Sequence, residues 1–73
     1  MSSPRPSKRS VPNGDRAVEV AERTLASAGH DAPEVVGDPH RSRGTWVVTV
    51  ESDGDRYNVH IEPRTGRTRV AKL

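Results

Sequence analysis

The chain has 73 residues, 30% of them hydrophobic, with no Phe, one Trp and one Tyr, which leaves room for one small domain with a thin core and excludes a second domain. It has no cysteine, so disulfide frameworks and thiolate metal sites are excluded and a reducing compartment is expected. The net charge of +2 conceals basic ends around an acidic middle: residues 1–12 carry +3, residues 13–62 carry −5 and residues 63–73 carry +4.

The first segment, MSSPRPSKRSVPN, holds Arg5, Lys8 and Arg9 and has almost nothing to bury. It is expected to be a disordered basic tail over residues 1–13, because too little apolar area is present to offset the entropy of ordering. No apolar run follows these cations, so neither a secretory signal nor a membrane span is expected, and the protein is expected in the cytoplasm.

A domain over residues 14–73 is predicted to begin with a helix at 15–28. Asp15 is placed to cap the free amides, and Val18, Ala21, Leu25 and Ala28 recur at helical spacing as one apolar stripe. Glu19 and Arg23 form an i,i+4 pair on the other face, and Gly29 is placed for a left-handed C-cap before Pro33 prevents resumption. Glu34–Gly37 is then predicted as a short strand, at a sheet edge or carrying an irregularity because Pro39 cannot donate to a ladder. The polar run HRSRG follows as a connection.

TWVVTVESDGDRYNVHIE reads as a hairpin turning at Asp53–Gly54. A two-residue turn sets Val50 against Tyr57, Val48 against Val59 and Trp46 against Ile61 on one face, with Glu51–Arg56, Thr49–Asn58 and Val47–His60 on the other. A second turn at Pro63–Gly66 pairs Ile61 with Thr68 and Val59 with Val70 inside, and Glu62 with Arg67 and His60 with Arg69 outside. The predicted fold is therefore α+β: one N-terminal helix packed on a three- to four-stranded antiparallel meander sheet. Trp46 is expected to pack on Leu25 or Val18, the rival expectation being that an uncovered part of the sheet leaves Trp46 or Val47 as an apolar patch.

Across residues 15–71, the succession AVEVAERTLASAG, EVVG, WVVTVESDGDRYNVHIE and PRTGR resembles the PepSY domain, with its recurring DG, Y-x-V-x-I-[DE] and Thr-Gly spacing. That resemblance implies a non-catalytic binding or protease-inhibitory module, as in bacterial propeptides and envelope proteins. GTWVVTVE also resembles, over that strand, the gas-vesicle accessory protein of the O type, which implies a role in assembly.

Catalytic and cofactor chemistry find no pattern. His30, His40 and His60 lack ligand spacing, Asp53 and Asp55 lack the closing Glu of a calcium loop, no Gly-x-Ser-x-Gly elbow occurs, and the glycines are isolated turn residues. No enzyme, cofactor, metal or small-molecule substrate is expected. The expected partner is another protein or a second copy, bound through Arg64, Arg67 and Arg69 or at an open sheet edge. The alternative is a nucleic acid whose phosphates contact Arg5, Lys8 and Arg9 together with that C-terminal hairpin.

Overall fold

In the computed structural model, which describes residues 10–73, helix α1 (Gly14–Ser27) precedes strands β1 (Glu34–Val35), β2 (His40–Ser42), β3 (Thr45–Ser52), β4 (Asp55–Ile61) and β5 (Thr68–Lys72). The α+β class is as expected, with one helix laid on an antiparallel sheet.

Helix α1 begins one residue earlier than predicted. Its N-cap is Asn13 rather than Asp15: the extended Asn13 accepts a hydrogen bond at Oδ1 from the Arg16 amide at 2.9 Å, and Asp15 sits in the first turn, where a carboxylate complements the helix dipole. Asn13→Ala is expected to cost about 0.5–2 kcal/mol in a urea titration, and no change would place the cap elsewhere. At the other end Gly29, at φ 92°, donates to the Ala26 carbonyl while the His30 amide donates to that of Leu25, the paired bonds of a Schellman motif.

The buried stripe of α1 is Ala17, Ala21 and Leu25, with Val18 half-buried and Ala28 exposed. The helix is thus rotated from the predicted stripe, and its two small residues allow close approach to Val48, Val50, Val59 and Ile61 of the sheet. Arg16, rather than Arg23, pairs with Glu19, at 2.8 Å.

The central hairpin has the predicted register throughout, from Trp46–Ile61 to Ser52–Asp55. Its turn has positive φ at both Asp53 (53°) and Gly54 (81°), the geometry of a type I′ turn, whose twist matches that of the strands. Strand β5 also pairs in the predicted register, Ile61 with Thr68 and Val59 with Val70.

The other edge departs from expectation. His40–Ser42, read as a connection, is strand β2, turned onto β3 through Arg43 and Gly44. β1 and β2 lie along the same side of β3, where the four residues Val36–Pro39 stand against only Val48 and Thr49. The sheet is thus four strands wide but built from five, its first edge broken at the Pro39 segment as the missing donor requires.

The domain also begins before residue 14. Val11 is fully buried, its amide donates to the Pro63 carbonyl at 2.7 Å, and its carbonyl accepts from the Trp46 indole Nε1 at 2.9 Å. A lone apolar residue is ordered here because it fills a core position and closes two hydrogen bonds. The rest of the expected tail, residues 1–9, lies outside the described residues.

Candidate functional site

Which surfaces stay uncovered follows from the width of the two layers. A helix is about 10 Å across and strands are about 4.8 Å apart, so one helix covers roughly two strands. α1 packs on β3, β1 and β4. β5 therefore runs along the sheet's last position without cover, and every one of its residues is exposed.

Alternation then orients β5. The Glu62 amide donates to the Arg67 carbonyl and the Leu73 amide to the Arg56 carbonyl, both at 2.8 Å, so residues 67, 69, 71 and 73 turn their backbone groups toward β4. Thr68, Val70 and Lys72 consequently direct their N–H and C=O groups out of the sheet. Val70 (38% exposed) and Leu73 (67%) are the exposed large apolar residues among those described. Val70 does occupy the inner face, as its pairing with Val59 requires, but no helix lies over it.

Between α1 and β5 runs a groove of about 480 Å³, lined by Arg16, Val20, Arg23, Thr24, Gly66 and Thr68 among others. Sequence reasoning missed this groove. Its signal was Val20, an apolar residue off the predicted stripe, which packs half-buried at the margin of the core.

The sheet face opposite the helix is open. Across it His40, Val47, His60 and Arg69 stand in register on four strands. Arg67 and Arg69 line one shallow depression of about 330 Å³ with Thr45, His60 and Glu62, and Arg43 and Ser42 line a second beside it. Of the predicted contact residues, Arg67 and Arg69 thus share a face, while Arg64 stands exposed in the turn of the same hairpin. Arg5, Lys8 and Arg9 lie outside the described residues.

Neither apolar patch offered by the rival expectation is present. Val47 is only 7% exposed although it lies on the open face. Trp46 is half-buried against the core near the start of α1, the end of the helix that carries Val18 rather than Leu25: an ideal Cβ on Gly14 would lie 3.0 Å from Pro39 Cγ and 4.0 Å from Trp46 Cζ3. The Arg41 guanidinium caps its ring at 5.0 Å.

The histidines do not converge. His30 packs edge-on against Tyr57, with ring centroids 4.7 Å apart, while His40 and His60 flank Val47 on the opposite face. Among the described residues no group of three or more His, Asp or Glu is placed to hold a metal ion, and no helix is long and apolar enough to cross a membrane. Ser52, the buried polar side chain, spends its hydroxyl on the Asp31 carbonyl at 2.8 Å and serves the fold. No family model, curated protein or solved structure matches this chain.

Proposed function

We propose that this chain is a non-catalytic, PepSY-like protein-interaction module that takes its partner at the β5 edge, restraining or chaperoning that partner in the cytoplasm. The observation that carries this reading is the outward backbone of Thr68, Val70 and Lys72 on the same strand as the exposed Val70 and Leu73. Such an edge supplies main-chain hydrogen bonds to an added strand, and the neighbouring side chains supply selectivity. The remaining depressions are shallow and open, which suits a macromolecular contact better than enclosure of a small substrate.

A second reading, a nucleic-acid binder, draws on Arg43, Arg67 and Arg69 on the open face. Against it, Trp46 and Tyr57 lie on the helix side, in register with Ile61 and Val50, which leaves that face only the imidazoles of His40 and His60 for stacking bases.

Capture from a lysate of the source organism, with and without nuclease and at low and high salt, separates the two readings. A discrete protein retained after nuclease at high salt is the expected result. Loss of all bound material on nuclease treatment would transfer the function to the second reading. Neutralising Arg64, Arg67 and Arg69 together is expected to weaken capture severalfold while leaving the far-UV spectrum intact, and undiminished capture would remove the three arginines from the contact.

A further inference from the structure

We infer that the partner's segment is an acidic extended peptide, which adds to β5 as a further strand and seats an apolar side chain in the groove beside Val20 and Thr68. This rests on the edge-binding reading above and names the chemistry that the edge selects.

Side chains of an added strand alternate between two surroundings. Those on the helix side lie beside Thr68, Val70 and Lys72 and over the groove, where Val20 supplies apolar surface and Arg16 and Arg23 stand along the wall. Those on the open side lie beside Arg67, Arg69, Ala71 and Leu73. Lys72 is engaged by Asp55 at 3.5 Å and Arg16 by Glu19, whereas Arg23, Arg67 and Arg69 make no ion pair among the described residues. Residues 63–73 carry four cations and no acid. The matching strand alternates small apolar residues toward the groove with Asp or Glu toward Arg67 and Arg69.

The same charges argue against a second copy as the occupant. Pairing two β5 edges would bring two such cationic hairpins together without a compensating acid. Pairing β5 with the opposite edge of another copy meets β1, two residues long, and the break at Val36–Pro39 before β2. Charges of this kind guard an edge against its own kind while leaving it open to a complementary strand.

The test uses the full chain and two end-capped heptapeptides of alternating sequence, one of Glu and Val and one of Lys and Val, followed by amide NMR titration. The acidic peptide is expected to shift the amides of Thr68, Val70 and Lys72 and to bind at least tenfold more tightly than the basic one. Val70→Pro removes an outward N–H that β4 does not use, a position where an edge strand tolerates proline, and is expected to weaken binding at least tenfold. Arg69→Glu, which leaves the backbone edge intact, is expected to reduce the preference for the acidic peptide severalfold and keeps the test valid if the proline variant fails to fold. Equal binding of both peptides at β5 would overturn the acidic preference while leaving the edge reading standing. If neither peptide perturbs β5, both fall. A free chain that sediments as a dimer, and as a monomer once Val70→Pro is introduced, would make the occupant a second copy and overturn the proposal.

Discussion

Leu25→Ala is expected to lower the melting temperature by at least about 10 °C, or to abolish the cooperative transition, in a far-UV circular dichroism melt. Leu25 heads the fully buried side chains by volume and is the large member of a helix stripe otherwise made of Ala17 and Ala21. A buried Leu→Ala change costs about 2–5 kcal/mol. A core this small rarely supplies more than about 3–5 kcal/mol of net stability, and each kcal/mol moves the midpoint by about 4–8 °C in a domain of this size. A shift of less than a few degrees would mean that α1 does not hold the sheet.

The second large effect belongs to residue 11. A chain that starts at Asn13 is expected to unfold well below the full chain, because it lacks Val11 and leaves the Trp46 indole N–H without the carbonyl it donates to. Burial of Val contributes about 1.5–3 kcal/mol, and an orphaned donor costs about 1–3 kcal/mol. Val11→Ala in the full chain separates the two terms, since it removes the side chain and retains the backbone: its loss should be roughly half that of the truncation. Equal stability of truncated and full chains would return the segment to the disordered tail that composition suggests.

Much of the local structure was legible. Asp53–Gly54 specified a two-residue turn, and strict alternation on both sides then left one register that placed Val48, Val50, Val59 and Ile61 together. Gly29 marked the helix end, and Pro39 marked the broken edge. β2 was not legible, since on an exposed edge His40, Arg41 and Ser42 need no apolar alternation. Nor was Asn13 as cap, because Asp15 two residues later offers the same chemistry. Of the candidate site, the cations and an open edge were foreseen from composition and turn spacing, whereas the groove was not, because its walls come from α1 and β5, more than 40 residues apart in sequence.

By itself, then, the sequence determined where α1 ends, where the hairpins turn and which residues face each other across β3, β4 and β5. These are matters of backbone dihedrals and a two-residue period, settled within a few neighbours. Only the tertiary structure decided that Val11 belongs to the core, that α1 presents Ala17 rather than Ala28 inward, and that Val70 stands uncovered beside an unpaired edge. Each of those depends on how one helix, about two strands wide, sits on a sheet four strands wide, and the surplus width is what leaves β5 uncovered.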